Sequence, residues 1–146
     1  MKKGYFGIGV WYPHKDCNVG TLFRSAYAFD ADFLFTVGRK YQCQSSDTCR
    51  SIRHLPYYNF LDIFEFKKGI PISCQIVCVE ITDNAKDLKN FCHPPRAVYL
   101  LGNEGGGLPN ELLQNSLVVK IDTSVCLNLS TAGSIVMYDR TIKMRN

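Results

Sequence analysis

The chain contains no stretch approaching the roughly 20 apolar residues needed to cross a bilayer, which excludes a membrane-spanning helix. It has no internal repeat and no low-complexity segment, so solenoids and disordered tails are not expected. It has no CxxC pair, and Cys74 and Cys78, four apart in the apolar run "CQIVCVEI", should share one strand face rather than form a zinc knuckle. No metal site is expected. The opening "MKKGYFGIGVWYPHKD" begins basic and turns apolar, but Pro13, His14, Lys15 and Asp16 break the run. No small-residue cleavage site follows, so a secretion signal is not expected.

What is present suits one soluble domain. With 146 residues, 46% hydrophobic and 21% charged, the chain can bury a core without disulfides, and we expect one domain over residues 1–146. Its seven cysteines (Cys17, Cys43, Cys49, Cys74, Cys78, Cys92 and Cys126) are an odd number lying mostly in apolar stretches, where a reduced thiol acts as a small hydrophobe. A cytoplasmic location is the expectation.

The net charge of +4 is uneven: residues 1–68 hold ten Lys/Arg against six Asp/Glu, and residues 69–146 hold seven against seven. Within the basic part, Arg39, Lys40, Arg50, Arg53 and His54 bracket "GRKYQCQSSDTCRSIRH", with only Asp47 to oppose them. Such a loop suits a polyanion such as nucleic acid; a solvated loop that is basic by chance remains the alternative.

Apolar runs of strand length alternate with helical periods, the pattern of an α/β domain with a mostly parallel sheet. Strands are expected near Tyr5–Trp11, Phe33–Val37, Cys74–Ile81, Ala97–Leu101 and Leu117–Ile121. Helices are expected near Val19–Phe29, Leu61–Lys68, Ala85–Phe91 and Pro109–Asn115, with a last one from about Asn128 to Lys143. Such apolar strands need helices on both faces. Asn18 can cap the first helix, and Asn128 or Ser130 the last. The small residues "STAGS" that open the last helix suggest close approach of another backbone, a candidate dimer contact.

The stretch "LLGNEGGGLP", Leu100–Pro109, invites a phosphate-binding reading and fails it. A Walker loop needs Lys and Ser/Thr after its glycines, whereas here Leu-Pro follows. A dinucleotide fingerprint opens the helix after the first strand, whereas this loop is late and carries Glu104 where an anion would sit. A neutral or cationic ligand that hydrogen-bonds bare backbone fits better. His14 and Cys17 lack the orienting group and oxyanion hole of a Cys–His nucleophile.

Three segments, "NVGTLFRSAYAFDA" (Asn18–Ala31), "VYLLGNEGGGLP" (Val98–Pro109) and "CLNLSTAGSIVMYDR" (Cys126–Arg140), together resemble the three ordered motifs of the SpoU, or TrmH-like, RNA ribose methyltransferases of the SPOUT superfamily. The resemblance covers nearly the whole chain. It implies a C-terminal trefoil knot, an exception to the rule against knotted chains, and a homodimer that uses S-adenosylmethionine. It also implies that backbone around Gly102, Ile121 and Leu127 holds the adenosine, that Val79 lines the pocket, and that Cys126 lies beside the methionine part. Arg24 matches the arginine that contacts the target ribose and phosphate, Asn18 and Asn128 fall in the active site, and Glu104 organises the loop with the first motif. An arginine is a poor base at neutral pH, so orientation and charge stabilisation suit Arg24 better than proton removal.

Two positions depart from the family pattern, Cys126 for serine and Asp122 for proline, and only six residues separate Ile121 from Asn128. The expected activity is methyl transfer to a ribose 2′-hydroxyl. Transfer RNA is the preferred substrate because the chain is almost wholly the catalytic domain, and ribosomal RNA is the nearest rival. The rival classes are a non-catalytic knotted RNA-binding module and, with little support, a dinucleotide-dependent oxidoreductase.

Overall fold

The computed structural model describes residues 4–145; the basic opening at residues 1–3 lies outside them. Seven strands, β1 (Tyr5–Trp11), β2 (Phe33–Val37), β3 (Tyr57–Phe60), β4 (Gln75–Val79), β5 (Lys86–Asp87), β6 (Arg96–Leu101) and β7 (Leu117–Lys120), form one sheet in the order β3-β2-β1-β6-β4-β7-β5. Every pairing is parallel. Four helices, α1 (Asp16–Ala28), α2 (Ile63–Gly69), α3 (Asn110–Asn115) and α4 (Leu129–Arg145), complete the fold.

Both faces of the sheet are covered, as parallel pairing requires. The two-residue side-chain period sends Phe6, Ile8 and Val10 into one core with Leu22 and Phe23 of α1 and Val136 and Met137 of α4. It sends Phe33, Phe35 and Val37 into the other core with Phe66 of α2 and Leu112 of α3. On that second face β1 carries Gly7 and Gly9. A Cβ there would lie 2.2 Å from the Phe33 ring or 2.2 Å from the Phe35 carbonyl oxygen, so the glycines admit β2 aromatics that no larger residue would. Cys78 is buried and Cys74 half-buried in this second core, the shared face that their spacing suggests.

Four expectations change. The segment Ala85–Phe91 is not a helix: Lys86 and Asp87 pair with Val119 and Lys120 as β5, and Leu88–Asn90 makes one 3₁₀ turn. Seven residues cannot sustain a helix unaided, and here Lys143 Nζ from α4 takes the Leu88, Lys89 and Phe91 carbonyls instead. The short edge strand β3, hidden in the aromatic-rich "YYNF", was not expected. Helix α1 starts at Asp16 after Lys15, one turn earlier than anticipated, so Asn18 lies inside it and does not cap it. Finally, Gly133 meets Leu22 of α1, where an added Cβ would lie 2.3 Å from Cδ1; part of the small-residue run therefore serves a contact within the chain.

Candidate active site at the carboxyl edge of the sheet

All strands being parallel, their carboxyl ends share one edge. From β1 the chain leaves toward β2, and from β6 it leaves the opposite way toward β7. Loops that diverge between adjacent strands open a crevice at that edge, the usual ligand position in such sheets. The loops at that edge include 12–15 after β1, 80–85 after β4, 102–109 after β6 and 121–128 after β7.

The glycine loop doubles back on itself. Asn103 Oδ1 accepts from the backbone N–H groups of Gly105 (2.9 Å) and Gly106 (2.7 Å), Asn103 bridges to Gly107, and Leu108 N–H donates to Glu80 Oε2 at 3.1 Å. A Cβ at Gly102 would lie 2.8 Å from Gly107 Cα, and Gly107 has φ +66°. The absent side chain at Gly102 thus first allows the loop to close on itself, a reason separate from ligand access.

Glu104 projects from this turn toward the first helix. Asn18 Nδ2 donates to Glu104 Oε1 at 2.8 Å, and Asn128 Nδ2 donates to Asn18 Oδ1 at 3.1 Å. The Asn128 oxygen in turn accepts from the Ser130 amide at 2.9 Å and from its hydroxyl, which caps α4. One side chain from each of three sequence-distant segments joins a continuous relay. Burial raises the Glu104 pKa, but hydrogen bonds from Asn18 and the Glu104 and His14 amides outweigh it and hold the carboxyl below its ordinary value. It is therefore an anion at neutral pH.

Beside the relay lies a cavity of about 490 Å³, within the size range of small-molecule sites. Val79, Gly102, Glu104, Ile121, Cys126, Leu127 and Asn128 all line it, so the structure brings every expected cofactor residue to one place. Glu80 and Lys120 line it as well. Glu80 was missed, although a lone acid ending the apolar run "CQIVCVE" was a usable signal. With Glu80 and Glu104 against Lys120, the wall carries more negative than positive charge, which suits a neutral or cationic guest over an anion.

Other expected residues lie elsewhere. Arg24 is exposed, six residues or about 9 Å along α1 from Asn18, outside the cavity lining and without a side-chain partner among the described residues. Arg39 binds Asp16 through both nitrogens, at 2.8 and 3.2 Å, and the Pro13 carbonyl at 3.2 Å. His54 stacks on Tyr27 with centroids 4.8 Å apart. Lys40, Arg50 and Arg53 are exposed. Asp47 does not screen these cations: it is buried and accepts from the Ser51 amide and hydroxyl and from Tyr41. Among the described residues no group of three or more His, Cys, Asp or Glu could hold a metal ion, and no helix is long and apolar enough to cross a membrane.

A parallel α/β domain with a backbone-walled pocket and an asparagine–carboxylate relay at its carboxyl edge defines a class of small-ligand-binding domains. The model of the SpoU rRNA Methylase family matches residues 6–138; the chain belongs to that family. No curated protein matches it in sequence. Solved structures share the fold: an AdoMet-bound rRNA methyltransferase from Sinorhizobium meliloti (22% identity, TM-score 0.83) covers 94% of this chain, which spans 56% of that protein. A. aeolicus TrmH/SpoU, a tRNA modifying enzyme (18%, TM-score 0.81), covers 99%, the chain spanning 77% of it. A protein described for the 2-OH methylation of C/U34 on tRNA (18%, TM-score 0.83) matches over 97% of both chains.

Proposed function

We propose that the protein is an S-adenosylmethionine-dependent RNA methyltransferase acting on a ribose 2′-hydroxyl, as a cytoplasmic, single-domain, trefoil-knotted homodimer. The observation that carries this reading is the relay Asn128–Asn18–Glu104, which ties the three family motifs together at the rim of the cavity. The donor set fits the cofactor, since backbone at Gly102, Ile121 and Leu127 can hydrogen-bond adenosine and the two wall carboxylates favour a cationic sulfonium. When bound, S-adenosylmethionine supplies an electrophilic methyl group to a nucleophilic oxygen.

The chain's own residues orient that oxygen. Asn18 and Asn128 hold Glu104 and the cofactor-side loop in register. Arg24, partnerless and exposed on α1, is free to take the ribose and phosphate of the target, and its permanently protonated guanidinium stabilises charge on the attacking oxygen rather than removing its proton. Lys40, Arg50 and Arg53 supply salt-dependent backbone contacts; Arg39 is committed to Asp16 and instead anchors residues 13–16. Transfer RNA is the favoured substrate, a reading supported by the neighbours described for tRNA C/U34 methylation and for tRNA modification, which share the fold over 97% and 99% of this chain. The dimer reading draws support from an open groove between α1 and α4 lined by Thr21, Phe29, Thr131, Ser134, Ile135 and Tyr138. Seven free thiols suit a reducing cytoplasm.

The test is incubation of the purified protein with methyl-labelled cofactor and total RNA, followed by mass spectrometry of ribose-methylated nucleosides. Wild type should label RNA, and Arg24→Ala should lower the rate by roughly 100-fold, comparable to loss of one charge-stabilising donor. Cofactor binding without any RNA label would leave only the binding-module reading.

A further inference from the structure

We propose that Tyr12 is a nucleobase-stacking residue, seating an unpaired base of the RNA beside the target nucleotide; this rests on the RNA-methyltransferase reading. The residue follows β1 and has φ +41°, a left-handed conformation that bulky side chains rarely adopt. Such outliers persist where the surroundings impose them and cluster at functional sites. Here the Tyr12 amide donates to the Val37 carbonyl at 2.7 Å. Its ring lies over Gly38, itself at φ +90°, where an added Cβ would lie 2.4 Å from Tyr12 Cδ1. The Trp11 ring meets it edge-on, with centroids 4.8 Å apart. Two unusual backbone conformations thus hold one aromatic ring in place, yet 40% of Tyr12 remains exposed. A tyrosine serving only the core would be buried.

Its location points to the ligand. Only Pro13, a span of at most about 7 Å of chain, separates Tyr12 from His14, whose ring packs on Gly105 in the loop that carries Glu104. Arg39 pins the Pro13 carbonyl and Asp16, fixing this segment between Tyr12 and Asn18. On the far side Tyr12 reaches toward the Leu61 carbonyl, and Leu61 and Phe64 are each 67% exposed. Lys68 lies over the Phe64 ring at 5.0 Å. Exposed rings interleaved with cations, leading away from a pocket for the reacting group, match the requirements of a single strand, whose bases stack and whose phosphates need positive charge. Asp16 and Arg39 neutralise each other, which leaves Lys15 on this segment and Lys40 beside Arg39 as exposed cations.

Trp11, the sole tryptophan, reports on the ring beside it. A heptamer of oligouridylate titrated into the full chain should change Trp11 emission saturably. Tyr12→Ala, and Tyr12→Asn, which tolerates a left-handed backbone, should weaken that binding and raise the KM for RNA by roughly ten-fold. The kcat and the cofactor KM should stay unchanged, and Tyr12→Phe should behave as wild type. RNA affinity and KM within about two-fold of wild type in folded Tyr12→Asn would overturn the proposal, since one stacked base is worth more than that. So would a Tyr12→Phe variant as weak as Tyr12→Ala, which would assign the effect to the hydroxyl, and so would a wild type that does not bind the heptamer. Tyr12-dependent binding by a wild type that methylates no RNA would support stacking and sink the enzymatic reading alone.

Discussion

At the carboxyl end of the sheet, Asn128, Asn18 and Glu104 hold one another in the open through two side-chain hydrogen bonds. At the amino end the arrangement is opposite. His93, its ring fully buried, bonds Tyr99 through Nδ1 (2.7 Å) and Asp139 through Nε2 (2.8 Å). Arg140, 2% exposed, donates to the Pro94 carbonyl (2.7 Å), the Tyr99 hydroxyl (3.0 Å) and the Pro95 carbonyl (2.9 Å). Both networks connect α4 to the rest of the fold, but only the buried one leaves costly unpaired groups when broken. The exposed one can be rearranged cheaply, which suits groups that must meet a substrate.

Cutting each network tests that contrast. Arg140→Leu removes the buried charge that donates to the Pro94 and Pro95 carbonyls and to Tyr99 at the amino end, and we expect a loss of about 3 kcal/mol, a Tm drop of roughly 6–12 °C by calorimetry. Glu104→Ala at the carboxyl end should leave stability within about 0.5 kcal/mol. It should nevertheless slow methyl transfer by roughly ten-fold or more, as expected for a positioning group. A large loss of Tm in this variant would erase the distinction between the two ends.

Acid sharpens the contrast further. Burial lowers the His93 pKa by more than the hydrogen bond and charge of Asp139 raise it, so the unfolded chain binds the proton more readily than the folded one. Stability from His93 is therefore complete above its ordinary value of about 6.5 and falls as pH drops through it toward the folded value. Denaturant melts from pH 8 to 5 should show this decline in wild type and a smaller one in His93→Gln. The Glu104 carboxyl, also lowered, adds its loss only below about 4.5. The smallest effect should come from the exposed pair Lys67–Glu111; Lys67→Ala should shift stability by less than about 0.5 kcal/mol and leave methyl transfer unchanged.

Much of this was legible in the chain. The strand period of "YFGIGVW" and "AVYLL" and the glycine-rich break after Leu101 place the central strands and the loop within a residue or two. The charge of Glu104 argues against a phosphate before any shape is known. The polar helical composition of "AKDLKNF" misleads, because Lys143, more than 50 residues later, claims its carbonyls. Asp47 looks like a surface counter-charge, yet three donors bury it. Tyr12 reads as one more strand-end aromatic, since a positive φ leaves no mark on sequence unless glycine bears it.

The sequence by itself determined the parallel α/β class, the two apolar faces and the three motif segments, because side-chain period and backbone preference act over a few residues. Only the tertiary structure decided that Asn18, Glu104 and Asn128, up to 110 positions apart, share one relay, and that Glu80 closes the glycine loop. Hydrogen bonds need atoms within about 3 Å, and the sheet order that brings those atoms together depends on burial summed over the whole chain.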